Sequence, residues 1–144
     1  MIKKAKVSDA YEIAQLAVEM WDNHNIEDLQ ADFISAIRSE EAVIFLKYEK
    51  ELIVGFAQCQ LRHDYVEGTD SSPVGYLEGI FIQKEFRKKG YAKELLEACE
   101  NWSKEAKCTE FASDCELDNK MSLQFHLKNG FNEANRIICF TKKL

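Results

Sequence analysis

The chain has one proline and six glycines in 144 residues, and no Gly/Ser- or Pro-rich stretch. That scarcity excludes a collagen-like or disordered chain and leaves no obvious linker. No apolar run approaches the ~20 residues that a membrane-spanning helix needs. The start, Met1-Ile2-Lys3-Lys4-Ala5-Lys6, is too short and polar for a secretory signal. No membrane partner and a cytoplasmic location are therefore expected. The motif C-x-x-C is absent, and the five cysteines (Cys59, Cys99, Cys108, Cys115 and Cys139) are odd in number and scattered. Free thiols, not a disulfide framework, fit that pattern. His24, His63 and His126 are isolated from any spaced ligand set, so no metal site is expected. The chain also lacks G-x-G-x-x-G, G-x-x-x-x-G-K-[ST] and a nucleophile elbow, which removes the dinucleotide, Walker and serine-hydrolase signatures.

Charge of one sign is in short supply too: 19 basic against 25 acidic residues leave a net charge of −6. Such a field opposes nucleic acid and favours a cationic partner, although mild acidity also serves solubility. A hydrophobic fraction of 46% is enough for one sizeable core, which predicts a single domain over residues 1–144.

Hydrophobic spacing predicts a short strand over 2–6, a helix from an N-cap at Ser8 to about Trp21, and a helix over 26–38. Strands follow over 42–48 and 52–61, joined by a Glu49-Lys50-Glu51 turn, and then 76–82 after a polar loop over 62–73. A helix over 94–106, a strand over 109–113, a helix over 118–128 ended by Gly130, and strands over 131–133 and 136–142 complete the pattern.

The segment Phe86-Arg87-Lys88-Lys89-Gly90-Tyr91-Ala92 lies between a strand and a helix. A basic glycine turn alone is an ordinary loop. With a strand before it and a helix after it, the turn is an anion cradle, because backbone N–H groups and the helix N-terminus point at one place. Gly90 lets the backbone approach a phosphate, and Arg87, Lys88 and Lys89 add charge-assisted contacts. Glu78 interrupts the apolar strand Tyr76-Leu77-Glu78-Gly79-Ile80-Phe81-Ile82, and a charge there is costly unless it is paired, functional or on the sheet rim. Asp114 ends the next strand, where it is either a turn residue or a second carboxylate for proton transfer.

Written R-x-x-G-x-A, the segment Arg87 to Ala92 resembles the acyl-coenzyme A pyrophosphate loop of the GNAT superfamily of N-acetyltransferases. The predicted order β-α-α-β-β-β-α-β-α-β-β is also that of the GNAT fold, an α/β (α+β) arrangement with a mixed, mostly antiparallel sheet and helices on both faces. The resemblance implies acetyl-CoA as co-substrate, with the pantetheine arm in a wedge beside the strand at 76–82. Ile80, Phe81, Ile82, Arg87, Lys88, Lys89, Gly90, Tyr91, Ala92 and Asn119 would then hold the cofactor. Asn119 can equally be a simple helix cap. His126 stands where many members carry tyrosine to protonate the departing thiolate. Its own pattern reads as a satisfied surface histidine.

More specific words are Tyr65-Val66-Glu67-Gly68-Thr69, Ser72-Pro73-Val74, Leu77-Glu78-Gly79-Ile80-Phe81, and Cys108 to Asp114 with Leu117-Asp118-Asn119. They resemble one bacterial branch of the aminoglycoside 6'-N-acetyltransferases. That resemblance implies a cationic aminoglycoside partner and a homodimer. It also places Trp21, His24, Tyr65, Glu78, Asp114 and Asn135 around the drug, with Glu78 and Asp114 catalytic. Asp22 departs from the proline common after the tryptophan, which weakens the match at His24. Asn135 stands where relatives can have glutamate. Tyr65 is either a sugar-stacking ring or a loop anchor. Two other readings remain: a GNAT enzyme for another amine, such as a polyamine or a peptide N-terminus, and an acyl-CoA-binding module without catalysis.

Overall fold

The computed structural model describes residues 1–144. Its elements are β1 (Ile2–Lys4), α1 (Ala10–Ala17), α2 (Ile26–Arg38), β2 (Ala42–Glu49), β3 (Leu52–Arg62), β4 (Val74–Ile82), α3 (Tyr91–Glu105), β5 (Phe111–Ser113) and α4 (Lys120–Lys128). Five strands form one sheet in the order β1-β2-β3-β4-β5. The first four are antiparallel, and β5 runs parallel to β4. The sheet is thus mixed and mostly antiparallel, as the sequence predicts.

Strand alternation divides the core between the two faces. Ile44, Leu46, Ile53, Phe56 and Phe81 meet α1 and α2 through Ile13, Leu16, Leu29 and Phe33. Val43, Phe45, Ala57, Cys59, Leu77 and Ile82 meet Leu95, Leu96 and Cys99 of α3 on the other face. No helix is long and apolar enough to cross a membrane.

Most predicted elements form, with shifted ends. The first helix is not capped by Ser8. A 3-10 turn over Val7–Asp9 precedes α1, and Asp9 Oδ2 accepts from Lys6 N at 2.7 Å. Helix α3 begins at Tyr91, one residue after the glycine of the cradle, not at 94. The larger correction lies at the C-terminus. The strands expected over 131–133 and 136–142 do not form: the segment makes no ladder with any strand of this chain, and extended backbone without a ladder partner is not a strand. Ile137, Ile138 and Phe140 are left exposed, with Ile138 79% and Phe140 87% accessible.

Two register features shape the site. In the β3–β4 ladder Gln58 pairs with Gly79 and Cys59 with Leu77, which leaves Glu78 as an extra residue on β4. Such a bulge reverses the in–out alternation on either side of it. Phe81 accordingly packs toward α1 and α2, whereas Leu77, also odd-numbered, packs toward α3. The β4–β5 pairing is the second feature. It covers only Gly75–Phe111, Tyr76–Ala112 and Leu77–Ser113, then ends. From Glu78 onward β4 keeps β3 on one edge and has no strand on the other.

Candidate active site

The cradle is built from backbone. Gly90, at φ 82°, caps α3 without any side-chain hydrogen bond, and Lys88 is also left-handed at φ 64°. No backbone carbonyl accepts from the N–H groups of Lys88 to Lys93. A helix start always leaves its first donors without intrahelical partners, and here the turn before it adds more. The macrodipole contributes the equivalent of roughly half a positive charge at the same end. A Cβ at Gly90 would meet nothing within 4 Å, so the glycine serves the backbone angle and not a local fit.

The side chains of this turn are partly committed elsewhere. Arg87 Nε donates to the Ile82 carbonyl at 2.9 Å, and its guanidinium lies over the Phe81 ring at 5.6 Å. Tyr91 donates its hydroxyl to Glu49 Oε1 at 2.7 Å, and Lys89 Nζ pairs with the same oxygen at 3.3 Å. The Tyr91 contact, more than Lys89, holds the Glu49 carboxyl below its usual range. Lys47, only 5% exposed, closes the cluster through Glu94 at 2.9 Å and the Tyr91 ring at 4.3 Å. Tyr91 therefore enters the cradle through its N–H, with its ring turned to β2. The backbone of Ile80, Phe81 and Ile82 runs along the unpaired edge that leads to the cradle.

The other side of the candidate site is built from side chains of distant segments. Glu78 is held by Arg62 of β3, with Nε donating to Oε1 at 3.0 Å and Nη2 to Oε2 at 2.9 Å. The Glu78 side chain is 22% exposed, so it is neither an open rim carboxylate nor a sealed core charge. The Arg62 guanidinium lies 3.5 Å above the centre of the Tyr76 ring. Tyr76 donates its hydroxyl to Asp114 Oδ2. Burial first, and then the Asp114 carboxylate, push the Tyr76 phenol well above its ordinary range, so it remains a donor. Four side chains thus form one chain of contacts, Glu78–Arg62–Tyr76–Asp114, and the two carboxylates predicted from sequence are its ends.

Trp21 belongs to the same face. An ideal Cβ on Gly79 would lie 2.9 Å from the Trp21 indole carbons, so the ring covers the backbone one residue after Glu78. Its other contacts are with Phe33 and Phe56, which fix it to the core. His24 is exposed in the α1–α2 connection, with its N–H bonded to the Trp21 carbonyl at 3.1 Å. Tyr65 is 76% exposed on the loop between β3 and β4. Asn135 donates to Glu67 Oε1 of that loop at 3.1 Å. No hydrogen bond or ion pair joins His24, Tyr65 or Asn135 to Glu78 or Asp114.

Asn119 is the cap of α4, its Oδ1 accepting from Ser122 N at 3.1 Å. Its amide nitrogen donates to no protein group. His126 is satisfied, as expected, but half-buried instead of superficial. Nδ1 lies 2.6 Å from the Ser122 carbonyl, which can only accept, so that nitrogen carries a proton. Nε2 lies 2.8 Å from Ser113 Oγ, and Ser113 also reaches the Leu77 carbonyl at 3.3 Å. The imidazole thereby ties α4 to the last pair of the β4–β5 ladder. No group of three or more His, Cys, Asp or Glu side chains is placed to hold a metal ion.

A cradle of amides at one end of a parted strand, and carboxylates beside the parting, suit an enzyme that presents an acyl thioester to an amine. The model described as Acetyltransferase (GNAT) family matches residues 7–131, and the chain belongs to that family. It is 37% identical over 128 residues to the aminoglycoside N(6')-acetyltransferase type 1 of Salmonella typhimurium, covering 89% of this chain and 88% of that protein. The enzyme of the same name from Acinetobacter haemolyticus is 34% identical over 143 residues, covering 99% and 98%. Among solved structures, AAC(6')-Iy in complex with the bisubstrate analogue CoA-S-monomethyl-acetylneamine superposes with a TM-score of 0.95 at 33% identity, covering 100% of this chain and 98% of that one.

Proposed function

We propose that this chain is a cytoplasmic, acetyl-CoA-dependent aminoglycoside 6'-N-acetyltransferase, folded as one domain over 1–144 and working as a homodimer. The observation that carries the reading is the linkage of Glu78 to Asp114 through Arg62 and Tyr76, beside the place where β4 and β5 part. The amides of Lys88 to Lys93 receive the diphosphate, with Lys88 and the free nitrogens of Arg87 adding charge. The open edge of β4 at Ile80–Ile82 and the amide nitrogen of Asn119 receive the pantetheine arm.

An aminoglycoside amine arrives as an ammonium ion and must lose a proton before it attacks. Glu78 and Asp114 bind the cation and take that proton, directly or through a water molecule. The neutral nitrogen then adds to the thioester carbonyl. Backbone donors along Ile80–Ile82 stabilise the oxyanion, and collapse releases the amide and coenzyme A, the departing thiolate taking up the second proton of the nitrogen directly or through solvent. Positioning of the two substrates supplies much of the acceleration. Trp21 forms a fixed wall of the acceptor site, and His24, Tyr65 and Asn135 lie on the loops around it.

The homodimer reading is supported by the C-terminal segment. Ile137, Ile138 and Phe140 belong to a short apolar run of strand-forming composition, yet they stand in solvent. The outer edge of β5 has no strand beside it. A second copy would satisfy both needs. Phe140→Asp should turn a dimer in sedimentation equilibrium into a monomer; a parent that is itself monomeric contradicts this reading.

Release of free thiol from acetyl-CoA, measured with kanamycin, spermidine and a peptide, tests the activity. Rapid release with kanamycin alone is the expected result. Turnover only with spermidine or peptide would assign another amine, and no acceptor-dependent thiol would leave a binding module.

A further inference from the structure

Arg62 carries a full positive charge into a site that has to receive a cation. Its guanidinium makes two parallel bonds to Glu78, at 3.0 and 2.9 Å, and covers the Tyr76 ring at 3.5 Å. A fork-to-carboxylate pair is geometrically demanding, and a stacked guanidinium loses a further degree of freedom. Tyr76 is itself fixed at both ends, by the Arg62 stack over its ring and by Asp114 at its hydroxyl. Around this pair the charged groups within bonding distance are Glu78 and Asp114 alone. The three ionic groups then sum to one negative charge instead of two.

We propose that Arg62 and Tyr76 are positioning residues that join Glu78 and Asp114 into one unit, and that Arg62 sets the net charge the acceptor amine meets. The inference rests on the reading above that the two carboxylates serve the amine. Arg62 holds the Glu78 carboxylate edge-on and leaves its outward lone pairs to the substrate. Tyr76 holds Asp114 by one oxygen and leaves the other free. The pair also limits how tightly a polycation binds, because a fully uncompensated double carboxylate would retain both substrate and product. Selectivity then falls on correct placement of one amine and not on total positive charge.

The test uses Arg62→Gln, Arg62→Lys and Tyr76→Phe in the full chain, each checked for an unchanged acetyl-CoA Kd. Arg62→Gln should lower kcat about ten- to a hundred-fold by misplacing Glu78. Its KM for kanamycin should stay level or fall, and kcat/KM should weaken more steeply with salt, because a charge has been uncovered. Arg62→Lys should restore the parent salt dependence and only part of kcat. Tyr76→Phe keeps the ring under Arg62 and should lower kcat about ten-fold with the salt dependence unchanged. A rise in KM at unchanged kcat for Arg62→Gln would mean that Arg62 binds substrate directly, and kcat within two-fold of the parent would remove its role; either overturns the proposal. A crystal structure of Arg62→Gln decides the case independently of turnover. Glu78 should leave the position it holds against the guanidinium in the parent, and an unmoved Glu78 contradicts the inference even if the parent enzyme acetylates no amine tried.

Discussion

The two halves of the site are made in different ways. The cradle is one contiguous stretch, Gln83 to Lys93, and the groups it offers are backbone amides set by the left-handed angles of Lys88 and Gly90. The acceptor side draws Arg62 from β3, Tyr76 and Glu78 from β4, and Asp114 from the end of β5, and its groups are side chains. A backbone site tolerates changes of side chain but not of backbone angle. A side-chain site tolerates little change of chemistry, and it depends on strand register.

Substitutions on each half should therefore fail differently. The largest effect is expected on the acceptor side. Asp114→Asn should lower kcat by about 10²–10⁴, the usual worth of a general base, while the acetyl-CoA Kd measured by calorimetry stays nearly unchanged. On the cradle side, Gly90→Val forces a β-branched residue to φ 82° in space that is otherwise empty. The strain of about 1–2 kcal/mol should raise the acetyl-CoA KM roughly ten-fold and leave the kanamycin KM alone. Gly79→Ala places a methyl group against Trp21 and should raise the kanamycin KM a few-fold, with acetyl-CoA unaffected.

The smallest effect concerns the clamp that ties the cradle to β2. Glu49 is held below its ordinary value of 4.5 by Tyr91 and Lys89. A depressed carboxyl stabilises the fold above its unfolded value, and the benefit is lost as pH falls through the folded one. The melting temperature of Glu49→Gln should thus lie slightly below the parent's at neutral pH, and the gap should close as pH drops below 4.5.

The same contrast explains what could be foreseen. The cradle was legible because strand, basic turn, Gly90 and amphipathic helix follow one another in sequence. Helix α2 was legible because its apolar stripe, Leu29, Phe33, Ile34 and Ile37, is regular; its cap, Asn25 accepting from Asp28 N, went unread. Glu78 and Asp114 stood out as charges at strand positions. Arg62 and Tyr76 did not, because Arg62 reads as the start of a polar loop and Tyr76 as one more apolar strand residue. Their partnership comes from the β3–β4 register, which sets Arg62 opposite Val74, two residues from Tyr76 on the same face, and no local pattern announces that register. The last strands were misjudged for a related reason: the apolar run Ile137-Ile138-Cys139-Phe140 describes a segment able to pair, and whether it pairs is decided by tertiary structure, which here leaves it off the sheet.

The most direct test of the account is a crystal structure of the parent enzyme with coenzyme A and kanamycin bound together. The diphosphate should lie against the amides of Lys88 to Lys93, and the 6'-amine should reach both Glu78 and Asp114, directly or through one water. A diphosphate lodged elsewhere, or an amine out of reach of both carboxylates, would contradict it.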